Sequence, residues 1–323
     1  MRLLLAYDGS ACANAARDLV AHLPLPAGSA ITLVTALERG PQLFGAPEFA
    51  VVPHDAADAE GQLLADLQQM LHEAAEPLRT ADRHVDTRVV RGRPASAIVD
   101  EAVACQPDLL VVGSRGHGPL ASVVMGSVSA EVVDHAPCPV LVARRRSVSR
   151  LVVGVDGSAS ADRALALLRR WPIFAGLPGA VVTVTEPISA WAGRVGTAIY
   201  PVWVDMHESA TDRRAQLEEV AQRGADELAR AGISAGVELR EGDPADQLIR
   251  AAQATGADLI VVGSRGLSTL PRLVIGSVAR KVLLHAPQSV LVVREARERV
   301  REPEREDVRE GRRLPAGALT ALA

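Results

Sequence analysis

One 22-residue stretch of this chain occurs twice with its glycines in register. From Asp108 to Ser129 it reads Asp-Leu-Leu-Val-Val-Gly-Ser-Arg-Gly, nine further residues, then Gly-Ser-Val-Ser, and from Asp258 to Ala279 the pattern returns 150 residues further on. Gly113, Gly116, Gly126 and Ser127 recur as Gly263, Gly266, Gly276 and Ser277, with nine residues between the second and third glycine both times. A single match to such a spacing would constrain little. Two in register define a chain built from two copies of one unit.

The residues on either side of the glycines say what that unit does locally. Leu109–Val112 and Leu259–Val262 are continuous apolar runs closed by glycine, which suits parallel strands buried on both faces. The glycines allow a sharp turn and bring backbone N–H groups close to a ligand. Gly-Ser-Val at 126–128 and 276–278 opens an apolar segment of helical length, placing Ser127 and Ser277 in a first turn. Free N–H groups, the positive end of the helix dipole and a hydroxyl converge there, an anion site suited to phosphate. Each charge-assisted bond from such a donor is worth roughly 1.5–3 kcal/mol. The alternative is that the glycines only turn a strand into a helix, but that would not require Gly-Ser again nine residues later.

Two familiar phosphate loops are excluded. The only lysine, Lys281, lies in Val-Ala-Arg-Lys-Val, so no Gly-x-x-x-x-Gly-Lys-Ser/Thr loop exists. The spacing Gly113-Ser-Arg-Gly116-His-Gly118 is not a dinucleotide fingerprint, and its second copy has Ser268 at the last position.

With G-x2-G-x9-G-S after a buried strand in both halves, the chain resembles the universal stress protein family, across roughly residues 1–144 and 150–294. The resemblance implies two tandem doubly wound α/β domains, each a five-stranded parallel, Rossmann-like sheet of order 3-2-1-4-5 flanked by helices. The domains would span 1–146 and 147–295, followed by a charged tail over 296–323. It also implies ATP, with or without Mg2+, or a related adenine nucleotide in each domain. The nucleotide-binding positions carried over are Asp8, Gly113, Arg115, Gly116, Gly126, Ser127 and Val128, and Asp156, Gly263, Arg265, Gly266, Gly276, Ser277 and Val278. No reaction is implied, no metal ligand and no catalytic residue. The fifth strand is where protomers of this family pair, so the two halves are expected to pair internally as a pseudo-dimer, with a homodimer and a further protein partner left open.

Composition excludes other classes. Hydrophobic residues make up 48% and aromatic residues only 2%, so the cores must be aliphatic. A net charge of −4 argues against a basic nucleic-acid surface. Cys12, Cys105 and Cys138 lack metal-ligand spacing, and reduced thiols in a cytoplasm are the simplest account. No apolar run approaches the ~20 residues that cross a bilayer, and the apolar start runs too soon into Asp8-Gly9-Ser10 to be a signal peptide.

The remaining elements also repeat. Strands are expected at Leu3–Tyr7, Ile31–Leu37 and Val85–Val90, and again at Leu151–Val155, Val181–Thr185 and Gly236–Leu239, with helices over 11–22 and through Leu168. Asp8 and Asp156 end first strands at the edge where α/β proteins place ligands. Each carboxylate could accept from a base amine or ribose hydroxyl, or the Asp or Ser could simply cap the following helix. The family lines its adenine pocket at the end of the second strand, which points to Ala36 and, in the second half, Glu186. Arg91 and Arg93 face Glu241 and Asp243 in the other copy, a reversal that favours solvated side chains over phosphate contacts; Arg115 and Arg265 do repeat, reaching phosphates or solvent. His135-Ala-Pro and His285-Ala-Pro read as a helix end and turn before the fifth strand, structural rather than catalytic, and Cys138 against Gln288 argues against shared thiol chemistry. The long connections Glu38–Ala59 and Glu186–Glu208 are lids, partner surfaces or variable loops. Over 294–313 eight arginines offset seven acids, a balanced segment read as solvated helix or disorder.

Two functional classes follow: a nucleotide-binding regulator whose ligand selects a conformation, and an enzyme that slowly hydrolyses ATP or transfers its adenylyl group. The enzyme class lacks the Walker lysine, the Ser-Gly-Gly-x-Asp-Ser loop of ATP pyrophosphatases and any repeated acid/base pair beyond Asp8 and Asp156.

Overall fold

The computed structural model describes residues 1–38, 55–116, 125–185, 205–266 and 275–294. The two connections proposed as lids, with Glu186, lie largely outside these residues, as do Gly118, Ser268 and the tail. The first half runs β1 (Arg2–Ala6), α1 (Ala11–His22), β2 (Ser29–Leu37), α2 (Asp55–Ala75), β3 (Arg83–Arg91), α3 (Pro94–Cys105), β4 (Leu109–Gly113), α4 (Ser127–His135) and β5 (Val140–Ala143). The second repeats it as β6 (Leu151–Gly154), α5 (Ala159–Arg170), β7 (Pro178–Thr185), α6 (Asp205–Arg230), β8 (Ser234–Glu241), α7 (Pro244–Thr255), β9 (Leu259–Gly263), α8 (Ser277–His285) and β10 (Ser289–Val293).

All ten strands join one sheet in the order β3-β2-β1-β4-β5-β10-β9-β6-β7-β8. Within each half every pairing is parallel and the order is 3-2-1-4-5, the doubly wound arrangement that the family resemblance implies. The halves meet where β5 and β10 pair antiparallel, Val142 opposite Val290, Leu141 opposite Leu291 and Val140 opposite Val292. Leu141 and Leu291 are 150 positions apart, so a pseudo-twofold axis passes through their pairing.

The central strands are apolar on consecutive positions because helices cover both faces: all five residues of β4 and all four of β5 are buried. The edge strands carry the charge instead. β3 reads Arg-His-Val-Asp-Thr-Arg-Val-Val-Arg and is exposed or half-exposed along its length, which discourages strand addition at that edge. On one face the core packs Leu3, Leu5, Val111 and Leu33 beneath α1 and α2 and continues into Val153, Val261 and Leu291. On the other face Leu4, Leu110, Val112 and Val142 join Val152, Ile260 and Val290. Both core layers therefore run unbroken across the seam between the halves.

Helix ends follow local chemistry. Ser10 and Ser158 are the N-caps of α1 and α5, each hydroxyl accepting from the amide three residues on, Ala13 at 3.1 Å and Ala161 at 3.2 Å. The capping reading of the Asp-Gly-Ser turns thus belongs to the serines, which leaves the aspartates for another role. α3 and α7 both end in a left-handed residue, glycine at 256 (φ 68°) but Gln106 (φ 46°) in the first half. A side chain in that region costs about 1 kcal/mol relative to glycine. Gln106→Gly is therefore expected to raise stability by about 0.5 kcal/mol after the added unfolded-state entropy is subtracted, measurable as a higher urea midpoint.

Candidate nucleotide site

The strand order reverses between β1 and β4 in the first half and between β6 and β9 in the second, and the crevice outside their carboxyl ends is where this topology leaves room for a ligand. In the first half that crevice is a cavity of about 840 Å³. It is lined by Asp8, Gly113, Arg115, Gly116, Gly126, Ser127 and Val128, so all seven positions proposed for this half come together. Its other wall is apolar, formed by Val34 and Ala36 at the end of β2 with Ile98 of α3 and Met125.

The glycines are dictated by close approach. A Cβ on Gly116 would lie 2.6 Å from Asp8 Oδ2, and one on Gly266 would lie 2.9 Å from Asp156 Oδ2, so each motif loop packs directly on its aspartate. A Cβ on Gly113 would meet the backbone of Cys12 at 2.9 Å, and one on Gly263 would meet the Ser160 hydroxyl at 2.5 Å. Strands β4 and β9 are thus pressed against the first turns of α1 and α5. The third glycine closes the loop: the amides of Gly126 and Gly276 donate to the carbonyls of Ser114 and Ser264, both at 2.8 Å.

Gly126 and Gly276 are the N-caps of α4 and α8, and no side chain caps either helix. Ser127 and Ser277 are the first helical residues, exposed, with Val128 and Val278 next. The first-turn amides lack intrahelical acceptors by helix geometry, so both helices present N–H donors, a hydroxyl and a positive dipole end at the mouth of the crevice. That is an anion-binding arrangement.

The two halves hold their loops differently. In the first, Ser10 Oγ donates to Arg115 O at 3.3 Å and Ser129 Oγ donates to Gly113 O at 2.7 Å. In the second, Ser160 Oγ accepts from the amide of Arg265 at 3.2 Å, and Ala279 replaces Ser129. Asp8 and Asp156 each accept from the amide two residues on, 3.0 Å from Ser10 and 2.9 Å from Ser158. Tyr7 also lines the first cavity and donates to Asn14 Oδ1 at 2.8 Å; burial raises its pKa, so it stays neutral. Its counterpart is Val155, and Tyr7, Glu38 and Met125 are lining residues that spacing alone did not single out.

Strand register corrects one expected position. Ala6 opposes Val34 and Gly154 opposes Val182, and the amides of Gly92 and Gly242 donate to Leu37 and Thr185 respectively. The counterpart of Ala36 is therefore Val184, not Glu186, and the position is apolar in both second strands. The arginines at the end of β3 are exposed, as expected, and pair at the surface, Arg91 with Glu60 at 3.0 Å and Arg93 with Glu131 at 3.7 Å. In the second half the same contact has its signs exchanged: Lys281 meets Asp243 at 3.1 Å and Asp246 at 2.9 Å. Burial opposes ionisation of Asp243, but the Asp246 amide and Lys281 outweigh it and hold the carboxyl below its usual range. The lone lysine thus ties α8 to α7.

His135 ends α4, exposed, with Nδ1 2.8 Å from Glu131 O, a helix-end contact rather than a catalytic one. The three thiols are free, and burial pushes Cys138 up to about 12, leaving it a protonated core residue at neutral pH. Among the described residues no group of three or more His, Cys, Asp or Glu side chains is placed to hold a metal ion, and no helix is long and apolar enough to cross a membrane.

The profile of the universal stress protein family matches residues 1–144 and again 148–294. The chain belongs to the universal stress protein family. A universal stress protein of Thermus aquaticus is 36% identical over 143 residues, 44% of this chain and 97% of that protein. One from Mycobacterium tuberculosis strain H37Rv is 28% identical over 256 residues, 74% of this chain and 78% of its own length. Among solved structures, a universal stress protein from Archaeoglobus fulgidus superposes with a TM-score of 0.61 at 18% identity, covering 91% of this chain and 98% of that one. A functionally unknown protein from Pseudomonas aeruginosa gives 0.60 at 17%, covering 91% and 92%. These structural likenesses bear on the fold, a tandem pair of universal stress protein domains.

Proposed function

We propose that each universal stress protein domain binds an adenine nucleotide, ATP with or without Mg2+, and that occupancy favours one conformation or partner surface, making the chain a nucleotide-gated regulator of a stress response. One observation carries this reading. The uncapped first turn of α4 and the apolar end of β2 line the same cavity, together with Asp8, in a volume within the usual range for small-molecule sites. The apolar wall of Val34, Ala36 and Ile98 suits a base. Asp8, acceptor-only when ionised, suits ribose hydroxyls and would repel phosphate. The amides of Ser127 and Val128, the Ser127 hydroxyl and the Arg115 guanidinium suit the phosphates. Mg2+, where it takes part, is carried in on the triphosphate. The second domain carries the same groups in Asp156, Gly263, Arg265, Gly266, Gly276, Ser277 and Val278, with Val184 at the position of Ala36. A reducing cytoplasm, where three free thiols persist, is the compartment that fits, and pairing into a homodimer or with another protein would be the output.

ATP is held, not consumed. The test is to incubate the chain with ATP and Mg2+ for hours, separate bound from free nucleotide at equilibrium by ultrafiltration, and identify the acid-extracted nucleotide in both fractions. Intact ATP retained on the protein is the expected result. Turnover to ADP or AMP would favour the enzyme reading, and no retained nucleotide at a protein concentration well above ~1 µM would contradict binding at about −8 kcal/mol.

A further inference from the structure

Each anion-binding helix is gripped at its far end by an arginine from the opposite half. Arg294, which follows β10, donates from Nη1 to the carbonyl of Val133 near the C-terminus of α4. Arg144, which follows β5, donates from Nη2 to the carbonyl of Leu283 in α8 at 2.5 Å and from Nη1 to Gln288 O at 3.2 Å. Val133 and Leu283 are 150 positions apart, as are Arg144 and Arg294, so the two contacts are one contact repeated by the pseudo-twofold axis.

These arginines also stand beside the glycine loops of their own halves. Ala143 is in register with Gly113 at the end of β4, so Arg144 follows the strand end next to Ser114 and Arg115. The amide of Ser264 donates to Val293 O at 2.8 Å, which fixes Arg294 beside the second loop. Burial lowers the Arg144 pKa to about 10, with the Cys12 thiol acting to raise it and Arg115 to lower it further, so the group stays cationic at neutral pH.

We infer that Arg294 and Arg144 are positioning residues acting across the seam: Arg294 sets α4 for the first site and Arg144 sets α8 for the second. The physical basis is the helix dipole. A nine-residue helix is about 14 Å long, and a cation at its C-terminal carbonyls complements an anion at its N-terminal amides. With the N-terminal end tied by Gly126 and the C-terminal end by Arg294, α4 cannot tilt without breaking one contact or the other. Each site is then completed by a residue of the other domain. Linkage makes the dependence reciprocal, so anion binding at α4 strengthens the hold of Arg294.

The inference rests on the nucleotide reading, and its test separates the two. ATP affinity is measured for Arg294→Gln and Arg294→Lys in chains with one site blocked, Ser277→Asp leaving the first site and Ser127→Asp the second. Arg294→Gln is expected to weaken the first site about tenfold and the second less than about threefold, with Lys restoring part of the loss and Arg144→Gln giving the mirror pattern. Equal losses at both sites, or none, overturn the inference. Amide hydrogen exchange of the nucleotide-free protein supplies an independent readout: Arg294→Gln is expected to speed exchange in α4 but not in α8, and unchanged protection in α4 overturns the inference. Failure of the single-site chains to bind ATP while α4 exchange responds would sink the nucleotide reading and leave the cross-seam positioning standing.

Discussion

Gly263→Ala is expected to lower stability by about 3 kcal/mol and the melting temperature by roughly 6–10 °C, the largest effect of any small substitution in either motif. The added methyl would stand 2.5 Å from the Ser160 hydroxyl, 2.7 Å from its carbonyl carbon and 2.8 Å from its Cβ. Two of those three atoms belong to the frame of α5 rather than to a side-chain tip, so relief requires the helix to lift from the sheet. Gly113→Ala meets only backbone, at 2.9–3.0 Å from Cys12 and Ala13, and should behave similarly. Gly116→Ala makes the instructive contrast. Its methyl would come within 2.6 Å of Asp8 Oδ2, the end of a side chain that can swing away. That variant should remain within about 1 kcal/mol of the parent yet lose the carboxylate position that the site needs. Urea titrations of the three variants check this ordering, and a Gly263→Ala protein as stable as Gly116→Ala would refute the packing argument.

The second large effect concerns the anion site itself. Ser127→Asp places a carboxylate in the first turn of α4, where the helix dipole favours negative charge, so stability should be unchanged or raised by a few tenths of a kcal/mol. The same carboxylate would stand where the proposed nucleotide places its phosphates. Two like charges ~4 Å apart at an effective dielectric of 20 repel by about 4 kcal/mol, which survives substantial screening as a loss of at least ~100-fold in affinity. Ser277→Asp should do the same to the second site. Opposite signs for stability and binding distinguish a blocked site from a damaged fold, and calorimetric melts alongside binding curves would read both.

Much of the architecture is visible in the sequence because it rests on local rules. The runs Leu109–Val112 and Leu259–Val262 suit strands covered on both faces, and the Gly-Ser-Val steps read as helix starts because glycine precedes an apolar helical segment. The site residues assemble as expected in the first half because Asp8 and Gly113–Gly116 follow strand ends at one edge of the sheet and Gly126–Val128 open the helix that packs back beside them. What the sequence leaves dark depends on pairing between distant residues. The counterpart of Ala36 is fixed only by the register of β6 with β7, which moved it from Glu186 to Val184. Arg93 and Asp243 show a sign reversal, but its meaning needs the partners Glu131 and Lys281, whose matching reversal 150 residues apart was a signal available for the taking. Arg144 and Arg294 look like ordinary charges after a strand; nothing local tells that they reach the helix of the other domain.

The measurement that bears most directly on the account is calorimetric titration of ATP, with magnesium, into four proteins: the parent chain, Ser127→Asp, Ser277→Asp and the double variant. The account predicts two nucleotides per parent chain, one for each single variant and none for the double, with all four equally folded. A parent chain that takes up no ATP, or single variants that still bind two, would contradict it.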